Sequence, residues 1–386
     1  TSGGALTVDA QGLTNKEFVV AVNAAGAVRV TNPGGAVAIG GKVTGTAGRL
    51  DLQPKQGSGV RFTGLAIGGD LDLEVGGPIS QTGALTVGGA TTLTATGQAV
   101  ALAHADNDFA GAVTVYAGSL TLKDKNALDL DFTAVNEVVI DAGGALAVTG
   151  SVSGSGKALS LRSGGAVTLG AIAAPGTLTL VAGGPVTQAS GALSVMGATT
   201  VTATGQDVDL TAAANRFGGA VSVTGAEVNL RDTDALQLAL ASTRASTITA
   251  LGAVQISGSV SGAGSHLAID SRGTTTFGKL SVAGDLRLEG RGAVSQITGG
   301  LTVLGATTLA VESQAVVLGD LANDFGGAVT VNAASATLRD ISALAAVLEV
   351  SAASQLTSGG SLSVTGAVGG LDQALTIDAG GAVAFG

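Results

Sequence analysis

A string built on Asn-x-Phe returns at a fixed interval. It reads "DNDFAGAVTV" at Asp106–Val115, "ANRFGGAVSV" at Ala214–Val223 and "ANDFGGAVTV" at Ala322–Val331. The steps from Phe109 to Phe217 and from Phe217 to Phe325 are equal, a 108-residue period. A chain with one long fixed period folds by stacking its copies, because each copy buries its apolar face on the next. All of 1–386 is therefore expected to form a single continuous body, not the roughly two or three domains that such a length usually implies. The copies divide it at about 1–75, 76–182, 183–290 and 291–386, with the first and last partial.

Within a copy a shorter rhythm appears. Strings such as "ALTV", "TTLTA", "SLTL" and "EVVI" alternate apolar with small polar residues. That is the period-2 pattern of half-buried strands. Gly, Asn or Asp separates the strings and accepts the tight-turn angles that β-branched residues resist. No run has a convincing helical period. The apolar side chains are mostly Ala, Val and Leu, with no Trp and one Tyr, which suits a narrow interior. Propeller blades of about 40–50 residues with aromatic signatures do not fit this period.

These features predict an all-β fold, a right-handed parallel β-helix (a β-solenoid) built from tandem super-repeats, each one period long. With two or three strands per coil, each copy should hold roughly four to five coils, about 4.8 Å apart, and the chain about 14–19. The Asn and the Gly pair of the recurring string should make a corner. Its Phe should turn inward and plug a wider cross-section.

The strings "NDFGGAV", "GGAL.V.G" and "LTL.A.G.V" resemble the repeat regions of filamentous-haemagglutinin-like exoproteins, the large adhesins of Gram-negative two-partner secretion. The resemblance covers essentially the whole chain. It implies a secreted rod at the cell surface, active in adhesion or biofilm, which holds binding regions away from the cell. The family's N-terminal secretion domain does not appear here, nor does an Arg-Gly-Asp tripeptide.

Charge narrows the partners. The net charge of −10 argues against nucleic acid and against an anionic membrane surface. The longest apolar stretches, such as Ala343–Leu348, fall far short of the about 20 residues of a membrane span. No signal peptide is visible. The chain opens without Met and stops inside a repeat, as a piece of a longer protein would. Expected partners are a host-cell, cell-surface or polysaccharide receptor, adjoining coils of the same chain, or a second copy stacked end to end. Absence of Cys removes disulfides, thiol catalysis and Cys-ligated metals.

The internal copies test each candidate for chemistry. His104 and His266 are the only histidines, and one period further on stand Ala212 and Ala374. His266 has Ser265 beside it and Asp270 four residues along, but no Gly-x-Ser-x-Gly elbow surrounds it. The pairs Asp70/Asp72, Asp129/Asp131 and Asp207/Asp209 put two carboxylates on one strand face, as a Ca²⁺ site would need. The second and third do not recur: Gln237/Ala239 and Ala345/Val347 replace one, Ala99/Ala101 and Ala315/Val317 the other. All three pairs read as solubilising charges that block sideways strand pairing.

Lys123–Asp124, Arg231–Asp232 and Arg339–Asp340 do recur, and read as strand ends whose charges face solvent or bridge to the next coil. The Thr arrays Thr91–Thr96, Thr199–Thr204 and Gly273–Gly278 return too seldom for an ice-binding face. With Tyr116 alone and no Trp, aromatic platforms for sugar are scarce. The expectation is a non-enzymatic structural rod with no catalytic, cofactor or metal residues. The alternatives are a β-helical polysaccharide-active enzyme and a self-assembling fibre or sheath subunit.

Overall fold

The computed structural model describes residues 3–46 and 48–386. Among these residues there are 42 strands and no helix, hence no helix long and apolar enough to cross a membrane. The pairings described within each unit are all parallel, and the strands stack as a β-solenoid, about 19 turns in all. The all-β solenoid expected from the alternating strings is the fold. The chain divides into two compact units, Thr1–Gly197 and Ala198–Gly386, and each is described by itself.

In the first unit the strands form two columns. One column stacks Val28–Asn32, Leu50–Pro54, Leu71–Glu74 and residues 91–94. The other stacks Phe18–Ala24, Val37–Val43, Val60–Ile67 and Ile79–Val87. The chain crosses from column to column, so two strands make one turn. Alternation along each strand sends one set of side chains inward: Val60, Phe62, Leu65 and Ile67 are buried, and Val113 and Val115 lie above Thr91 and Leu93. Burying each such side chain contributes about 1.5–3 kcal/mol. Every strand inside the stack has a neighbour above and below to bury against, so short strands suffice.

The long strands bend. Their register shifts between Ile39 and Gly41, between Val148 and Gly150, and between Ile256 and Gly258. At Gly258 φ is +119°, and a Cβ there would run into the carbonyl oxygen of Leu240. Only Gly allows that strand to fold around the corner while pressing on the turn below.

Counting crossings corrects one expectation. Val60–Ile67 sits in the second column. Its equivalent in the next copy, Val167–Ala174, pairs with Leu146–Val152, which pairs with Leu128–Ala134 and, through it, residues 113–117 and 91–95 of the first column. The path between them crosses eleven times, so a copy holds five and a half turns and not four to five. The second unit repeats the finding. Thr199–Thr202 stacks under Val221–Gly225 and Leu236–Ser242, while its equivalent Thr307–Ala310 stacks on Leu286–Gly290 and Leu267–Ser271 in the other column. In both units, equivalent strands of successive copies therefore lie on opposite sides of the coil.

Candidate functional site

The recurring string builds one corner per copy. Asn107, Asn215 and Asn323 are fully buried, as are the rings of Phe109, Phe217 and Phe325. Asn107 Nδ2 donates to the Leu102 carbonyl at 3.0 Å and to Gln81 Oε1 at 2.9 Å. Its Oδ1 accepts from Leu85 N at 2.9 Å and from Gln81 Nε2 at 2.8 Å. Asn323 makes the same four bonds, to Leu318, Gln296 and Leu301. Asn215 Nδ2 donates to the Leu210 carbonyl at 3.0 Å. A buried amide with both donors and both acceptors engaged fixes the local backbone, because any other residue leaves partners unpaired. The Asn corner and inward Phe expected of the motif are present in all three copies.

Between the preceding strand and the Asn lies a short loop: residues 103–106, 211–214 and 319–322. The three loops share one pattern of exposure but differ in sequence, "AHAD", "TAAA" and "GDLA". A constant frame thus carries variable tips.

The charged pairs are not what adjacency suggested. Asp124, Asp232 and Asp340 are fully buried, with relative exposures of 0%, 0% and 1%. Asp124 Oδ2 accepts from Phe109 N at 3.2 Å and Oδ1 from Asn126 N at 3.0 Å. Asp232 Oδ1 accepts from Phe217 N and Asp234 N at 3.4 and 3.1 Å. Asp340 accepts from Phe325 N at 3.2 Å and from Ser342 N at 2.7 Å. Burial pushes all three carboxyls above their ordinary range, against these N–H bonds, which pull them down. Of the basic partners, Lys123 makes the expected bridge to the next turn, its Nζ reaching Asp141 at 2.8 Å, whereas Arg231 is half-buried with its Nε unpartnered. The signal was present in "LTLKD". If Leu120 and Leu122 point inward, alternation turns Lys123 out and Asp124 in.

The other singled-out residues scatter. His104 lies in the first loop and its Nδ1 accepts from Asp106 N at 3.2 Å. His266 and Asp270 are exposed, and no hydrogen bond among the described residues joins them to the Ser265 side chain. Asp72 pairs with Arg49 at 2.6 Å and Asp207 with Arg244 at 2.9 Å; Asp70 Oδ1 accepts from Ala90 N at 2.8 Å. Asp129 and Asp131 stand exposed on one strand face. Among the described residues no three His, Asp or Glu side chains gather closely enough to hold a metal ion. One Thr of each array turns inward: Thr91, Thr199 and Thr275 are buried, with Oγ1 unpartnered. Tyr116 is exposed on a strand face next to Thr94 and Thr133.

Stacked parallel strands, a long internal period and a recurring buried corner define a β-solenoid repeat protein. The chain belongs to a family described as repeats of unknown function (DUF5649), whose model matches residues 47–116, 156–224 and 264–332, together more than half of the chain. The matched stretches recur once per 108-residue period and end within the strand that follows each Asn-Phe corner, each covering about two thirds of the period. No curated protein and no solved structure matches the chain.

Proposed function

We propose that the chain is a non-enzymatic structural repeat of an exported, cell-surface protein: a stiff spacer within an adhesin or extracellular fibre. One observation carries the reading. The Asn, Phe and Asp of the corner recur in all three copies that contain it, whereas His104, Ser265, His266 and the Asp pairs do not. What the repeat keeps is framework. The backbone bonds between turns run along the stacking direction, so each turn braces the next, and the exposed loops are held on a fixed frame as contact points. Resemblance to filamentous-haemagglutinin-like exoproteins supports the exported setting. A receptor on a cell surface or polysaccharide, adjoining coils, or end-to-end stacking supplies the partner.

The test is adhesion of coated beads. Beads carrying the chain should be retained on cells or immobilised polysaccharide, and exchanging loops 103–106 and 319–322 for the "TAAA" of the middle copy should lower retention. Equal retention of uncoated beads would remove the adhesive role. Release of oligosaccharide from any polysaccharide by the purified chain would remove the non-enzymatic one.

A further inference from the structure

The three corner loops share a backbone turn but differ in how it is capped. Asn107 N donates to the His104 carbonyl, Asn215 N to the Ala212 carbonyl and Asn323 N to the Asp320 carbonyl, at 3.2, 3.2 and 3.3 Å. The residue that opens the turn is half-buried in each case. In the last copy its side chain caps the turn. Asp320 Oδ1 accepts from Ala322 N, two residues on, at 2.9 Å, and Oδ2 accepts from Gly299 N of the turn before at 3.1 Å. The first of these is the local bond by which an Asp side chain fixes a turn. In the middle copy the methyl group of Ala212 can accept nothing, and the backbone turn forms all the same. In the first copy His104 stands where the last has Asp320 and reproduces its bond: Nδ1 accepts from Asp106 N at 3.2 Å.

The exchange changes the chemistry of the cap. A carboxylate accepts at any pH above its own titration, and the amides of Ala322 and Gly299 hold the Asp320 carboxyl below its ordinary range. An imidazole nitrogen accepts only while it carries no proton. Acceptance by Nδ1 therefore places the single ring proton of neutral His104 on Nε2. A second proton, which an imidazole ordinarily takes up near pH 6.5, goes to Nδ1. The acceptor then becomes a donor facing an N–H, and the cap bond is lost. A replacement stands close by, since Asp106 Oδ2 lies 3.8 Å from Nδ1. One proton from solvent thus exchanges Asp106 N–H···Nδ1 for Nδ1–H···Oδ2, and the loop shifts to close the gap. The other charges around the ring are engaged. On the turn after, where Val113–Asp124 ends above Leu102, Lys123 pairs with Asp141 and Lys125 with Asp108, each at 2.8 Å. Asp124 is buried and bound to Phe109 N and Asn126 N. On the turn before, residues 81–84 carry no charge.

We propose that His104 is a pH-sensitive latch on the first corner loop: residues 103–106 are capped while the ring is neutral and rearrange around the His104–Asp106 pair in mild acid. The same step cancels the loop's single negative charge, that of Asp106. Loops 211–214 and 319–322 have no imidazole and keep one form over the same range. Of three loops on a common frame, acidity therefore switches one. Because the turn closes with Ala212 in the middle copy, losing the cap loosens the loop without unfolding the corner. The latch is a property of the loop and does not depend on what the loop touches.

Nuclear magnetic resonance of the whole chain tests the latch, and the chain's own copies supply the variants. At about pH 8, above the ordinary imidazole range, the ring nitrogens of His104 should report the Nε2–H form. Between about pH 8 and pH 5 the Asp106 amide should shift along the His104 titration curve while the Ala322 amide stays in place. His104→Asp installs the last copy's cap and should hold the Asp106 amide steady through that range. His104→Ala copies the middle loop. It should fold with an unchanged melting curve, and its Asp106 amide should already sit where the unmodified protein arrives only in acid. An Nδ1–H ring in the neutral form overturns the proposal. So does an Asp106 amide that stays still while the ring titrates, or one that moves as far in His104→Ala, since the imidazole would then not be the cause.

Discussion

The backbone N–H of Phe325 donates to the carboxylate of Asp340, fifteen residues further along the chain and 3.2 Å away. Phe217 with Asp232 and Phe109 with Asp124 repeat the bond. The acid of one turn thus closes the corner of the turn before it. Replacing Asp340 with Ala should leave the buried amide of Phe325 unpaired, at a cost of about 1–3 kcal/mol, and release the amide of exposed Ser342 to solvent. Hydrogen exchange at the Phe325 amide should quicken by at least tenfold while amides several turns away keep their protection. Unchanged exchange at Phe325 would show that the carboxylate does not hold the corner.

The same acids set a pH dependence. Burial raises the folded-state carboxyls of Asp124, Asp232 and Asp340 above their unfolded value, which is about 3.9. The native state therefore binds more protons than the unfolded state between those two values. The stability these groups contribute is fully present below about 3.9 and is lost as pH rises through the folded values. Glu17 works the other way: the hydrogen bond from Arg61 lowers its carboxyl, and that stability is lost as pH falls through the lowered value. From neutral pH down to just above the ordinary carboxylate range, only the first effect operates. The melting temperature should therefore rise on mild acidification, and replacing all three acids with Asn should flatten the rise. A melting temperature that falls steadily from neutral pH would contradict the assignment.

Gly258 is among the residues least replaceable by Ala. Its φ of +119° is costly for any L side chain, and the new Cβ would collide with the Leu240 carbonyl. The backbone cost alone is of order 1–3 kcal/mol. Gly366, at +102° and pressed against the Leu348 carbonyl, should behave alike. Urea unfolding would check both, with exposed Gly319, whose added Cβ meets nothing within 4 Å, as the tolerant control.

Thr307 offers the opposite change. Its side chain is buried and its Oγ1 has no partner. Val occupies nearly the same volume without the hydroxyl, so Thr307→Val should stabilise the fold by about 1 kcal/mol. A loss of stability in urea unfolding would mean that the hydroxyl is bonded in solution.

Much of this was legible in the chain. Alternation along "ALTV" or "SLTL" fixes which side chains point inward, because successive residues of a strand face opposite ways. The 108-residue interval fixes repetition, and Asn-x-Phe fixes the corner. Asp124 was also legible, since the alternation that buries Leu120 and Leu122 carries it inward. The sequence alone did not determine the number of turns in a copy or the column each strand joins. Those depend on where bends such as Gly150 and Gly258 fold one long strand around a corner, and on which turn each strand meets after crossing the coil. Neither is a local property. Only the stacked structure therefore places equivalent strands of successive copies on opposite sides of the coil.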